Sequence, residues 1–179
     1  MAIIFELFIE CETKEAADQQ VTHFAGQSFL LPSGREASWK SSVEQTYSGT
    51  WSVEVYSDQL DHWGICTLED AVNATECGIR FYHRLLTAPE FLLAYTGFNP
   101  CCPAAEISDF FKVGSDGSRS CSSTCVLNNT LVQTLGPLRS FKPFRPGYVW
   151  NEYRGENYWP LGSQDHRELW ALYKELLPS

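Results

Sequence analysis

The 179-residue chain is 44% hydrophobic, 20% charged and 14% aromatic, and it carries a net charge of −9. A chain of that length and balance can bury a core without disulfide or metal staples, which excludes a disordered segment and a membrane-class protein. No apolar run approaches the roughly 20 residues of a membrane helix, and Glu6 and Glu10 stand where a signal peptide carries bases, so a cytoplasmic protein with no membrane partner is expected.

Ile3, Phe5, Leu7 and Ile9 alternate with Ile4, Glu6, Phe8 and Glu10, which predicts a central strand. Thr13 can cap a short helix whose Ala17, Val21 and Phe24 recur at spacings of four and three before Gly26 closes it. Phe29 to Leu31 predicts a short strand stopped by Pro32-Ser33-Gly34, and the alternation through Ala37, Trp39, Ser41 and Val43 makes a hairpin with it. After Tyr47-Ser48-Gly49, a strand with Trp51, Val53 and Val55 on its inward face follows. Thr67 caps a long helix with Leu68, Val72, Thr75, Ile79, Tyr82 and Leu86 on one stripe, ended before Pro89. Phe91 to Tyr95 is a last strand, broken by Gly97-Phe98-Asn99-Pro100.

This order over residues 1–99 predicts an α+β fold of the ferredoxin-like, split βαβ kind: an antiparallel sheet with its helices on one face. Residues 100–179 are expected as an irregular extension packed on the same single domain. Within it, Ala104 to Val113 predicts a helix, Gly114 to Ser123 an exposed loop and Val126 to Leu135 a strand. Ser163 caps a C-terminal helix striped by Leu169, Leu172, Tyr173 and Leu176.

Charge is unevenly placed. Residues 1–100 hold 14 acids against five bases, whereas residues 101–179 hold eight of each. An acidic surface repels phosphate backbones, so duplex nucleic acid is not an expected partner. The seven cysteines are an odd number, and in a reducing compartment they read as buried or free thiols. The triplets Asn73-Ala74-Thr75 and Asn128-Asn129-Thr130 read as chance matches, since glycosylation needs a secretory route.

Several side-chain groups could carry chemistry. Cys101-Cys102 with Cys121 and Cys125 could offer four thiolates to zinc, but adjacent cysteines have difficulty turning both sulfurs to one ion, so no metal is expected. His62 and Cys66 precede the long helix, whose N-terminus would favour a thiolate; they match no catalytic signature and read as loop and filler. His83 beside the apolar stripe reads as satisfied by packing and one hydrogen bond, as do His23 and His166. Glu6, Glu10 and Glu12 read as solvent-facing acids rather than cation ligands. No phosphate loop, nucleophile elbow or zinc-protease helix motif is present, and no cofactor or catalytic residue is expected.

Residues 139–159 depart from this background. They hold Phe141, Phe144, Tyr148, Trp150, Tyr153, Tyr158 and Trp159 with Arg139, Lys142, Arg145 and Arg154, against Glu152 and Glu156 alone. Aromatic rings beside arginines are the composition of contact hot spots, which points to Arg145, Tyr148, Trp150, Tyr153, Arg154 and Trp159 as binding residues on a loop shaped by Pro143, Pro146, Gly147 and Gly155. Burial of the same rings over the sheet is the structural alternative. The expected function is a non-enzymatic module that holds a protein partner. The alternative is a small-molecule binder or enzyme with a pocket between the sheet and residues 139–159.

Overall fold

A computed structural model describes residues 4–57, 59–60, 64–98, 111–113, 119–121 and 124–156. It is a mixed α/β arrangement built on a large antiparallel sheet with three helices among the described residues. Strand β1, Phe5–Cys11, has all seven residues buried, so it is covered on both faces. It pairs antiparallel with β5, Trp51–Tyr56, on one side and with β6, Leu93–Phe98, on the other. Strand β4, Lys40–Gln45, pairs antiparallel with β5 and closes that side.

The two long helices are placed by their caps. Helix α1, Lys14–Phe24, starts where the Thr13 hydroxyl accepts from Ala16 N. Helix α2, Leu68–Leu85, starts in a capping box, in which Thr67 accepts from Asp70 N and the Asp70 carboxylate accepts from Thr67 N. Such a cap is worth about 1 kcal/mol. Both helices bury their apolar stripes on the face carrying Phe5, Leu7 and Ile9, with Phe81 of α2 in ring contact with Phe5 and Phe24. Their C-terminal ends are tied together: His23 Nε2 bonds to Arg84 O, Arg84 Nη2 donates to His23 O, and Gln20 Nε2 donates to Pro89 O.

Between α1 and β4 lies a two-stranded ribbon of β2, Ser28–Leu30, and β3, Glu36–Ser38. The hairpin expected there forms, but the alternating run divides at Trp39, where the chain leaves the ribbon and β4 enters the large sheet.

The chain after residue 100 departs from the sequence expectation in three places. Phe111–Val113 and Arg119–Cys121 are strands, β7 and β8, paired antiparallel with each other, so the end of the expected helix and part of the expected loop are a small ribbon. The expected strand from Val126 to Leu135 is strand β9, Cys125–Asn128, followed by helix α3, Asn129–Leu135. The switch occurs because the Asn128 side chain accepts from Leu131 N and caps a helix instead of extending a strand. The expected irregular cover at residues 139–159 is instead a hairpin of β10, Lys142–Arg145, and β11, Tyr148–Asn151. Pro146 and Gly147 form its turn, with Gly147 at φ +83°, the left-handed conformation that glycine adopts freely.

That hairpin joins the main sheet through β9, giving the seven-stranded order β10-β11-β9-β6-β1-β5-β4. Phe8, Leu93, Tyr95 and Leu127 make a second apolar cluster with Phe111 and Leu135, distinct from the one that holds α1 and α2. Glu6 and Glu10 belong to the β1 face that carries Phe8 and, contrary to expectation, are buried, at 8% and 0% exposure. The Glu10 carboxylate accepts a hydrogen bond from Thr50 Oγ1. The expected helix capped by Ser163 lies outside the described residues. No helix among the described residues is long and apolar enough to cross a membrane.

Candidate functional site

Of the six residues singled out in the aromatic segment, four hold positions inside the fold. Arg145 lays its guanidinium against the chain leaving α2: Nη1 donates to Ala88 O and Leu86 O, and Nη2 donates to Pro89 O at 3.1 Å. The same guanidinium stands 4.2 Å from the Tyr148 ring centroid and 5.1 Å from that of Phe91. The Tyr148 hydroxyl accepts from Phe91 N and donates to Phe91 O. Trp150 is buried between Tyr82 and Phe144. Tyr153 is buried beside Tyr82, where its hydroxyl donates to Glu156 Oε1 at 2.9 Å. Burial pushes both the Tyr153 hydroxyl and the Glu156 carboxyl above their ordinary ranges. Arg154 is exposed, and Trp159 lies outside the described residues.

A concave surface forms elsewhere, where the β2–β3 ribbon faces α2. Glu76, Ile79, Arg80, His83, Arg84 and Thr87 recur along the chain at spacings of three, one, three, one and three, so they make one stripe on the helix and its final turn. Across from that stripe stand Gln27, Ser28, Phe29 and Trp39. Trp39 is held by Trp39 N donating to Gln27 O, and its ring lies between Phe29 and Phe81, each 4.3 Å away by centroid. The space enclosed is a cleft of about 380 Å³. Small-molecule sites run from roughly 300 to 1,000 Å³, so the cleft admits a compact ligand.

Its chemistry is mixed. Phe29, Trp39 and Ile79 supply the apolar part, and the Arg80 guanidinium lies 4.8 Å from the Phe29 ring centroid. Arg80 is already paired, since its Nη2 and Nε sit 2.7 and 2.8 Å from Glu76 Oε1. Arg84 is different: its guanidinium donates to His23 O, it has no carboxylate partner among the described residues, and its buried Nε has no acceptor. Partial desolvation lowers the His83 imidazole below its ordinary 6.5, with Glu76 opposing and Arg80 pushing the same way. His23 is likewise lowered, chiefly by burial, with further help from the charges of Arg84 and Arg145.

His83, expected to be satisfied by packing, is thus an exposed residue on the wall of the cleft. Sequence reasoning did not single out Arg80, Arg84, Phe29 or Trp39. The available signal was that two of the five bases in the acidic first hundred residues fall four apart on one helix, with His83 between them.

The thiols divide by depth. Cys11, Cys77 and Cys125 are buried, and burial pushes the Cys11 thiol up to about 12. Cys66 is exposed just before the Thr67 cap, while His62, Cys101 and Cys102 lie outside the described residues. Among the described residues no group of three or more His, Cys, Asp and Glu side chains could hold a metal ion. No family model, no curated protein and no solved structure matches the chain.

Proposed function

We propose that the protein is a cytoplasmic, non-catalytic binding module whose ligand is a small molecule held in the cleft between the β2–β3 ribbon and α2. The observation that carries this reading is the convergence, around about 380 Å³ of space, of an aromatic floor at Phe29 and Trp39 with the polar rim of Glu76, Arg80, His83 and Arg84. An apolar pocket with a few converging polar groups is the usual form of a ligand site. The reading moves the expected small-molecule site from residues 139–159, where the rings of Tyr148, Trp150 and Tyr153 are buried, to the face of α2 that meets the β2–β3 ribbon.

The module is taken as a single domain whose β1, α1, β4, β5, α2 and β6 form a ferredoxin-like unit. The strand order β6-β1-β5-β4, antiparallel throughout, supports that, as does the packing of α1 and α2 against one set of β1 side chains. Such sheets host unrelated activities, so the fold itself adds nothing to the choice of ligand.

Protein-observed magnetic resonance with a small-molecule library tests the reading. Ligands are expected to shift the amides of Ser28, Phe29, Ile79 and His83, and Ser28→Trp, which fills the cleft from its rim, should abolish those shifts while the fold persists. Ligands that perturb only other regions, or that bind Ser28→Trp unchanged, would refute it. A protein partner is the second reading, favoured by Leu30 and Tyr47, which stand 66% and 110% exposed. It predicts a single partner whose capture is lost in Leu30→Ser/Tyr47→Ser and retained in Ser28→Trp.

A further inference from the structure

We infer that the cleft selects a small monoanion, a carboxylate carried on a planar or aliphatic body, and that Arg84 is the residue that reads its charge. The inference rests on the proposal that this cleft holds a ligand, and it adds the chemical class.

The charges around the cleft set the ligand's charge. Glu76 and Arg80 neutralise one another through two contacts shorter than 3 Å, so as a pair they offer no net charge. Arg84 has no acid partner among the described residues and donates to one main-chain carbonyl, although a guanidinium has five N–H donors. His83, exposed on the rim, adds no full positive charge at pH 7, since an imidazole's ordinary value lies below 7 and partial desolvation lowers it further. The lining therefore carries one uncompensated positive charge, in a chain whose net charge is −9. A monoanion balances that charge. A dianion would meet the Glu76 carboxylate, which is only 12% exposed and fixed on the same stripe.

The Nε–H of Arg84 is buried without an acceptor, as is that of Arg145, so this guanidinium is not fully satisfied by the fold. A buried donor without an acceptor costs free energy, and here it belongs to the cation on the cleft wall. With Nη2 held on His23 O, the guanidinium still has N–H donors to spare, and an arriving carboxylate can take two of them in the planar, bidentate manner that arginine prefers. The body of the ligand then lies along the apolar lining of Phe29, Trp39 and Ile79, beside the Arg80 guanidinium that covers the Phe29 ring at 4.8 Å.

Titration calorimetry with naphthoate and hexanoate, each matched with its neutral primary amide, tests this on the unaltered chain, and magnetic resonance locates the bound molecule. At least one carboxylate should bind about tenfold or more tightly than its amide, the usual effect of one charge-assisted hydrogen-bond pair. It should shift the Ser28, Ile79 and His83 amides. Arg84→Gln should bring the carboxylate down to the affinity of its amide and leave the amide unchanged, while Arg84→Lys should keep part of the preference. Amides that bind in the cleft as tightly as the carboxylates would overturn the anion inference and leave the cleft reading standing. Carboxylates and amides that all fail to shift those amides at millimolar concentration would overturn both. Should Arg84→Gln unfold, the carboxylate-to-amide ratio of the unaltered chain and its decline at high salt decide the matter.

Discussion

Arg145 offers the sharpest test of whether the aromatic segment builds the fold. Its guanidinium donates to the carbonyls of Leu86, the C-cap of α2, and of Ala88 and Pro89 in the chain just beyond it, next to a helix end that carries partial negative charge. Arg145→Met keeps the aliphatic stem against Phe91 and Tyr148 and removes these donors. A hydrogen bond from a charged donor contributes about 1.5–3 kcal/mol, and a guanidinium over an aromatic face about 0.5–2 kcal/mol. The three bonds share one cation and one of them is long, at 3.5 Å. Arg145 is also partly exposed and the carbonyls regain some water, so the net loss should be about 3 kcal/mol. For a chain of this size that lowers the melting temperature by about 6–12 °C. Urea unfolding followed by tryptophan fluorescence measures it. Arg145→Lys should recover less than half, because an ammonium has no planar fork to span three carbonyls. A loss below about 1 kcal/mol for Arg145→Met would refute the reasoning and return Arg145 to the candidates for contact with a partner.

Two further predictions follow from the same core. A side-chain carbon at Gly78 would stand 2.6 Å from Tyr153 Cε1 and closer still to its hydroxyl; Gly78→Ala should therefore destabilise by about 1–3 kcal/mol despite alanine's better helix propensity. In a Tyr153→Leu background the same change should become neutral or favourable, and a Gly78→Ala variant that is stabilised on its own in urea unfolding would contradict the packing. Glu6 is raised from 4.5 to about 7 by burial and by the nearby Glu54 charge. The folded state therefore holds the proton more tightly than the unfolded chain. Its stabilising effect is complete below about pH 4.5 and lost as pH rises through 7, an effect of about 1–3 kcal/mol. Glu6→Gln should flatten this part of the stability profile between pH 5 and 8. His23 and His83, lowered by burial, act with the opposite sign, losing stability as pH falls, so the difference between variant and parent is the quantity to measure. An unchanged slope in Glu6→Gln would refute the burial argument.

Local signals account for the first half of the fold. Thr13 and Thr67 are caps because a threonine hydroxyl stands before an amphipathic stripe, and both act as such. The second half hides its elements. Val126, Leu127, Leu131, Val132 and Leu135 suit a strand at one end and a helix at the other, and only the Asn128 cap decides where one becomes the other. Pro143, Pro146 and Gly147 look like loop chemistry, yet they build a hairpin: Pro143 sits on the edge strand β10 beside a register irregularity, and Pro146 lies in the turn. The depth of Glu6 and Glu10 was not visible, because alternation shows which residues share a face and not what lies over that face. The cleft was hidden for a related reason: its two walls, residues 27–39 and 76–87, are far apart in the chain and each is unremarkable alone.

The binding proposal gains from the stiffness of the wall that carries it. The C-terminal end of α2 is tied to α1 through the reciprocal bonds of His23 and Arg84, and to β10 through Arg145 on the carbonyls of residues 86, 88 and 89. On the far side, Trp39 is fixed between Phe29 and Phe81. A ligand entering the cleft therefore orders little of the main chain. Its main demand is to engage the Arg84 donors left over from the bond to His23 O, so most of its contact energy is available as affinity. Arg145 then acts on binding without touching the ligand, by holding the turn after α2 against which Arg84 and Thr87 are placed. Arg145→Lys, if it folds, should weaken a carboxylate ligand and its amide by the same factor, whereas Arg84→Gln should weaken the carboxylate alone; equal behaviour of the two variants would contradict the assignment of charge reading to Arg84.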